Sequence, residues 1–421
     1  MRYFIPRFFV FDGFETIDIQ VSTRDKTTKI YLKAKKDRQF NCHVCGTKLS
    51  HFVHKKPRTV KDLPTRGFAT SIHFERRTGY CSNCEKNRVE AIDFISPLSP
   101  HFTKEYSWWL AEMCEFSTVR RAAKFTDIDN MTMRRLDHKR MLKMVQSYKI
   151  PEAIKIAVDE VYARKKQRSK DESRNKKFFT VVSDLATRKV IWVTESRDKS
   201  ALDEFFEIIG PSACEKIEVV AADQHDPYRA SVRQYCKNAV VVWDRFHVVK
   251  TFEEAINETR KDLHHELGSK SPLYKMTRGK YRYMFLKRAE RRTKQEKEHI
   301  DDILLENVDF SQLELIKEKM LSFFDQRCEA DAKQVFKQVG DWIWQKQFRP
   351  LMRWYNALEK EWDTLVNYFK YRVTSALAEG INNVIKSLKR QAFGYRNMDY
   401  FRLKIMQRCG YLNSEHMPLA V

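Results

Sequence analysis

Three apolar, β-branched runs in the middle of this chain each reach an aspartate. They are Ile154–Val161, which contains Asp159, Lys216–Asp223, and Ala239–Asp244. Aspartate is a poor strand former, and a carboxylate at the tip of a buried strand is costly unless it meets a cation or hydrogen-bond donors. In the first run Ile154, Ile156 and Val158 alternate with Lys155, Ala157 and Asp159, which predicts a half-buried strand. Taken alone, Asp159-Glu160 reads as a strand end that opens a turn. The recurrence at Asp223 and Asp244 turns the same residues into a candidate site at matching strand ends.

The elements around these runs set the topology. Phe178–Asp184 and Lys189–Glu195 read as strands joined at Leu185–Arg188, and the basic stretch Arg164–Lys177 reads as an exposed turn. Ser200–Ile209 is an amphipathic helix stopped by Gly210-Pro211, and Pro227–Tyr235 is a second helix with proline in its first turn. Three strands, helix, strand, helix, strand predict a mixed sheet with helices against it. Residues 250–370 lose the strand pattern and read as helices, including Leu304–Phe324 and Phe336–Trp362, with a strongly basic segment at Arg282–Arg292. A last helix follows Ser375, its expected N-cap. Glu379, Asn382, Asn383 and Lys386 share one face of it, with Ile381, Val384, Ile385 and Leu388 on the other. Lys389, Arg390 and Gly394-Tyr395-Arg396-Asn397 come next.

Upstream, Thr16–Ser22 and Lys29–Ala34 read as strands. Cys42-His43-Val44-Cys45 and Cys81-Ser82-Asn83-Cys84 are two C-x₂-C knuckles, and Thr70–Arg77 between them reads as a strand. Four thiolates suit a closed tetrahedral Zn²⁺ site and leave no open position, so the metal is expected to be structural. Two unrelated thiol pairs are the competing reading. His43, His51, His54 and His73 are available as ligands, but four cysteines need no substitute. Lys55, Lys56, Arg58, Arg66, Arg76 and Arg77 give this segment a basic face. Residues 101–146 read as three helices: Lys104–Phe116 carrying Trp108, Trp109, Leu110 and Met113, then Thr118–Phe125 capped by Ser117, then Met131–Val145. In the third, Met133, Leu136, Met141 and Leu142 are expected inward, and Arg134, Arg135, Lys139, Arg140 and Lys143 outward. This pattern fits a DNA-binding helix-turn-helix, and equally a small three-helix unit of another kind.

Charge narrows the partner. Lysine and arginine number 79 against 56 acids, a net charge of +23, which points to a polyanion and first of all to nucleic acid. No apolar run is long enough for a membrane span, the start does not resemble a signal peptide, and nine cysteines in a lysine-rich chain argue for a reducing compartment. Strand-end aspartates with a distant helical glutamate can build a two-metal carboxylate site. Mg²⁺ prefers oxygen ligands and keeps positions for water and phosphate, and two such ions about 4 Å apart suit in-line displacement at a phosphodiester.

The run Ala378-Glu379-Gly-Ile-Asn382-Asn-Val-Ile-Lys386-Ser-Leu-Lys-Arg390, with Gly394–Asn397, closely resembles the C-terminal signature of the ISL3 family of insertion-sequence transposases. Ala157–Glu160, Ala222-Asp223 and Asp244-Arg-Phe-His247-Val-Val-Lys250 resemble its other blocks. The resemblance implies a DDE transposase of α/β class. Its parts would be an RNase H-like mixed-sheet core with an all-α insertion, preceded by a zinc ribbon and a helix-turn-helix. The expected segments are 1–95 (ribbon), 96–150 (helix-turn-helix), 151–250 (first part of the core), 251–368 (insertion) and 369–421 (C-terminal core helix and tail). By the same resemblance Asp159, Asp223 and Glu379 are the metal-binding triad for two Mg²⁺, with Mn²⁺ able to substitute. Cys42, Cys45, Cys81 and Cys84 hold structural Zn²⁺. Asp244 and His247 support the acids, contact DNA, or only pack beside the strand; Glu160, Asp184 and Asp226 carry no role. The expected DNA contacts are Arg134, Arg135, Lys139, Lys386, Lys389, Arg390 and Arg396. Expected partners are double-stranded DNA, as element ends and target, and a second copy in a synaptic dimer, in the bacterial cytoplasm at the nucleoid. A DNA-binding regulator that keeps the fold without the chemistry is the alternative.

Overall fold

The structure, a computed structural model, describes residues 11–163, 178–223, 226–277, 279–373 and 376–417. The chain divides into two compact units, one running to Lys149 and including the segment from Tyr411, the other spanning Ile150–Gly410.

The first unit opens with β1 (Phe14–Ser22) and β2 (Thr27–Ala34), followed by β3 (Ser50–Thr65), β4 (Phe68–Cys81) and β5 (Lys86–Val89). Their order is β1-β2-β4-β3, with β5 paired to β4, and β2 runs parallel to β4. A two-residue turn, Arg66-Gly67, joins β3 to β4 with both residues at positive φ, the geometry that matches the twist of a tight hairpin. Pattern reading misses β3. It carries Lys55, Lys56, Pro57, Arg58 and Pro64 and is exposed along most of its length, so no apolar alternation marks it. Proline is tolerated there because β3 is an edge strand. Phe14, Phe74 and Phe94 meet edge-to-face in the core below the sheet.

Three helices complete this unit: α1 (Lys104–Phe116), α2 (Val119–Thr126) and α3 (Asn130–Ser147). They close around Leu110, Ala122, Ala123, Met133 and Leu136. The cap of α2 is Thr118 rather than Ser117: the Thr118 side chain accepts from the Arg121 amide, while Ser117 ends α1 and donates to the Met113 carbonyl. Two α3 residues fall on the opposite side from the one expected. Leu142 is exposed, and Arg140 is fully buried, because Glu115 on α1 and Trp108 receive its guanidinium.

The second unit is built on β6 (Lys155–Tyr162), β7 (Phe178–Asp184), β8 (Lys189–Glu195), β9 (Val219–Ala222) and β10 (Val240–Trp243). The order across the sheet is β10-β9-β6-β7-β8. β6, β7 and β8 are antiparallel neighbours, and β9 and β10 lie parallel to β6 on its other side. β6 is therefore central. Ile156, Ala157 and Val158 are all buried and Ile154 is exposed, so the strand is covered on both faces rather than alternating. Asp184 caps the β7–β8 turn by accepting from the Ala186 and Thr187 amides.

Between the strands lie α4 (Lys199–Ile209), α5 (Pro211–Lys216) and α6 (Asp226–Tyr235). Gly210-Pro211 ends one helix and starts the next, with proline in its favoured first-turn place, so the strand expected from Lys216 begins only at Val219. The helical part then runs α7 (Arg245–Leu267), α8 (Leu273–Met276), α9 (Arg282–Leu286), α10 (Lys294–Glu306), α11 (Val308–Leu321), α12 (Glu329–Lys346), α13 (Arg349–Glu359) and α14 (Trp362–Tyr371). The expected Leu304–Phe324 helix breaks at Asn307, which caps α11 by accepting from the Asp309 and Phe310 amides. A single apolar core joins these helices to Val219, Val242 and Trp243 of the sheet. The chain then returns as α15 (Ala376–Gln391), tied to β6, and α16 (Met398–Cys409), whose Phe401 meets Phe179 of β7. The expected cap Ser375 and the basic turn at 164–177 lie outside the described residues. Val384 is exposed, unlike its helix-mates Ile381, Ile385 and Leu388. Among the described residues no helix is long and apolar enough to cross a membrane.

Candidate active site and cysteine cluster

The parallel registers Val158↔Ala222 and Ala222↔Trp243 bring the next residues, Asp159, Asp223 and Asp244, to one level on three adjacent strands. Strands sit about 4.8 Å apart, so the three acids form a row, with Asp223 and Asp244 just past the ends of β9 and β10 and Asp159 inside β6, paired with Val181 of β7 rather than at the strand end expected. Each side chain has a different set of partners. Asp159 accepts from the Glu160 amide at 2.7 Å and from Asn382 Nδ2 at 2.6 Å. Burial raises its pKa above the usual carboxylate range and nearby Asp244 adds to this, against the opposing hydrogen bonds and the pull of His247. Asp244, nearly buried, caps α7 by accepting from the Phe246 amide and takes a second hydrogen bond from His247 Nδ1 at 2.8 Å. His247 Nε2 faces Asp223 Oδ2 at 3.9 Å. The hydrogen bond to Asp244 is the main reason the imidazole's pKa is raised, and the charges of Asp223 and Asp159 reinforce it against burial.

Glu379 is exposed and lies one turn before Asn382 on α15. Residues at this spacing share a helix face with Cβ atoms about 5–6 Å apart. The Asn382–Asp159 hydrogen bond and a second tie from Lys389 Nζ to the Tyr162 carbonyl at 3.1 Å lay α15 along β6. Asn382, which pattern reading put only on the polar stripe, is the side chain that holds Asp159. Its spacing from Glu379 was the available signal. The carboxylates of Asp159, Asp223 and Glu379 are not drawn together as a ligand cluster: among the described residues, the one group of three or more potential ligands within 4.8 Å of one another is the four cysteines.

The expected DNA contacts are unequal. Arg134 and Arg135 are exposed on α3, whereas Lys139 Nζ donates to the Leu98 carbonyl. Lys386 and Arg390 are exposed on α15 and Arg396 in the turn after it, while Lys389 is committed to Tyr162, lying over its ring as well. In the ribbon segment Arg76 and Arg77 turn inward onto buried Glu90, and Arg58 donates to the Pro100 carbonyl. Lys56 and Arg66 remain exposed.

Cys42 and Cys45 flank the turn before β3, Cys81 ends β4 and Cys84 lies in the turn to β5. Sulfur separations of 3.4 Å (Cys45–Cys81), 3.6 Å (Cys45–Cys84) and 4.0 Å (Cys42–Cys84) bracket the edge of a tetrahedron with Zn–S bonds of about 2.3 Å. Hydrogen bonding with Thr47 draws the Cys45 thiol down to about 5, and hydrogen bonding with Cys45 holds Cys84 up to about 12. The donor set and its spacing are compatible with structural zinc. Histidine takes no part: His43 Nδ1 pairs with the Val89 carbonyl instead.

A sheet carrying a row of acids beside a returning helix is the part of the chain that matches a known family. The family model of ISL3-type transposases, described simply as transposase, covers residues 156–405, and the chain belongs to this family. A relative spanning nearly the same length is the transposase for insertion sequence element IS1001 of Bordetella parapertussis. It is 25% identical over 381 residues, covering 90% of this chain and 91% of that protein. The transposase for insertion sequence element IS1557 of Mycobacterium tuberculosis is 32% identical over 88 residues, 21% of this chain and 20% of that protein.

Proposed function

We propose that this transposase cuts the ends of its element and joins them to target DNA on an RNase H-like core, with Asp159, Asp223 and Glu379 as the acids that hold divalent metal. The observation carrying this reading is the Asp159–Asn382 hydrogen bond. It ties the helix bearing Glu379 to the central strand, whose Asp159 stands level with Asp223 on the next strand. The strand order, with an antiparallel β6-β7-β8 meander and β9 and β10 added parallel to β6, supports the RNase H-like assignment.

The donor chemistry suits Mg²⁺: oxygen ligands only, one of them a desolvated carboxylate whose ionised form a cation would favour. When bound, such ions supply Lewis-acid stabilisation of the attacking and leaving oxygens. The chain's own part is to orient. Asn382 fixes one oxygen of Asp159 and leaves the other toward the Glu160 amide, and Asp244 fixes His247 against Asp223. In the first step a water oxygen bonds to phosphorus at the element end, and the bond to the 3′ oxygen breaks to leave a 3′-OH. In the second, that hydroxyl attacks a target phosphodiester and displaces a target 3′-OH, so each step makes and breaks one P–O bond. The cysteine module and α1–α3, read as zinc ribbon and helix-turn-helix, bind the terminal repeats, with Arg134 and Arg135 among the contacts. Two ends must be joined, so the working form is a synaptic dimer.

The test replaces Asp159, Asp223 or Glu379 with alanine. Mg²⁺-dependent end cleavage and strand transfer are expected to vanish, while end affinity in a gel-shift assay stays within about threefold of wild type, since phosphate contacts set it. Cleavage retained by any of the three variants removes that residue from the triad.

A further inference from the structure

The turn that ends α15 contains a phenylalanine that no packing argument explains. The Phe393 amide donates to the Arg390 carbonyl at 3.0 Å and the Gly394 amide to the Lys389 carbonyl at 2.9 Å. This is the paired closure that terminates many helices, and its central position favours glycine because φ is positive there. Here that position is Phe393, at φ 52°, with glycine one residue later. The residue is also 97% exposed, the highest value among the exposed large hydrophobic residues that the structure describes. Backbone conformation and solvent thus both disfavour an aromatic residue at this point.

The turn is nonetheless firmly held. Tyr395 stacks on Phe401 of α16 at 4.3 Å and 5°, and Lys389 anchors the preceding helical turn to the end of β6. The neighbours in sequence are basic: Arg390 and Arg396, three residues before and after Phe393, are both exposed. A flat apolar face flanked by cations matches a partner with flat apolar faces on an anionic backbone, which is a nucleobase in DNA. Position narrows the choice. α15 carries the chain about 14 Å from Asn382, which holds Asp159, to its end at Gln391, at 1.5 Å per residue, and Phe393 lies two residues beyond. That is about four to five base-pair steps of 3.4 Å.

We propose that Phe393 is a wedge that stacks on an unpaired base of the element end, within about five base pairs of the scissile phosphate. This rests on the DNA-cutting reading for its location, while the stacking itself can be read without cleavage. The experiment binds the full-length protein, in EDTA, to end duplexes carrying 2-aminopurine at each of the terminal positions in turn. Wild type should raise the fluorescence several-fold at one position. F393W should move or quench that signal, and F393G should abolish it at protein concentrations that saturate the end duplex by gel shift. F393G relieves the backbone at a positive-φ position, so it should melt no lower than wild type, and loss of signal then belongs to the ring. A wild-type protein that leaves every position dark, or an F393G protein that keeps the signal, overturns the wedge. A signal that appears only on target duplex overturns its assignment to the element end. Failure of the metal-acid reading shows separately, as cleavage that survives D159A.

Discussion

Arg140 is the sharpest test of how the three-helix unit works, because helical spacing turns it outward with Arg134, Arg135 and Lys139 and its environment does not. The guanidinium is fully buried, pairs with Glu115 at 2.6 Å, donates to the Ser414 hydroxyl at 2.7 Å and lies 4.8 Å from the Trp108 ring centroid. Glu115 in turn accepts from the Ser414 amide, which fastens the segment after Tyr411 to α1 and α3. Glu115→Gln keeps the shape and removes the negative charge, leaving a buried cation without its counter-charge. Breaking a buried pair this way costs about 3–5 kcal/mol, a large share of the stability of a typical domain. Hydrogen exchange of the α3 amides reads the loss locally, and protection should fall by about two to three and a half orders of magnitude. The double substitution E115L/R140M replaces charge by packing and should recover most of that protection, since buried pairs are often no better than apolar residues of similar volume. The double variant should also bind DNA with an unchanged salt slope, whereas loss of a phosphate contact lowers that slope by about one. Protection in E115Q within about tenfold of wild type would refute the energetic argument. A shallower salt slope in the double variant would make Arg140 a phosphate contact and refute its purely internal role.

Three further outcomes follow from the same geometry. Burial raises the Asp159 pKa, so its folded form binds a proton more tightly than the unfolded one. The resulting stability is full below the ordinary carboxylate range and lost as pH rises through the raised value. D159N should therefore melt higher than wild type at pH 7 in metal-free buffer while losing cleavage, and an unchanged melting profile from acid to neutral pH would contradict it. A Cβ at Gly340 of α12 would come within 2.5 Å of the Tyr355 ring, itself stacked on Phe336 at 4.3 Å, so G340A should cost about 1–3 kcal/mol by denaturant titration. Wild-type stability in G340A would mean that the α12–α13 contact can relax. Native mass spectrometry should find one zinc ion per chain, and C81S, at a buried thiol, should lose both the ion and the order of β3–β5 by exchange. A metal-free protein with full protection there would sever the cluster from folding.

Elements with strong local patterns were legible. The hairpin β7–β8 and helix α1 have the limits that apolar spacing and turn residues imply, and the paired C-x₂-C knuckles announced their cluster. β3 was invisible because an exposed, lysine- and proline-bearing edge strand has no apolar face to alternate. Arg140 was misread because helical spacing gives direction around an axis but not what stands opposite; a carboxylate on α1 made an inward cation tolerable.

What the sequence settled unaided was the supply of chemistry: aspartates closing apolar runs, four thiols in two pairs, a glutamate and amides on one helical stripe, and a large cationic surplus. These depend on residue type and short-range periodicity, which a linear string contains. Which groups meet was decided only by tertiary structure. The parallel registers set three aspartates level, Asn382 reached Asp159 across 223 positions, and His247 was placed between Asp244 and Asp223. Such pairings depend on how strands align and how a distant helix returns to the sheet, and contact between groups far apart in the chain leaves no periodic trace in either segment alone.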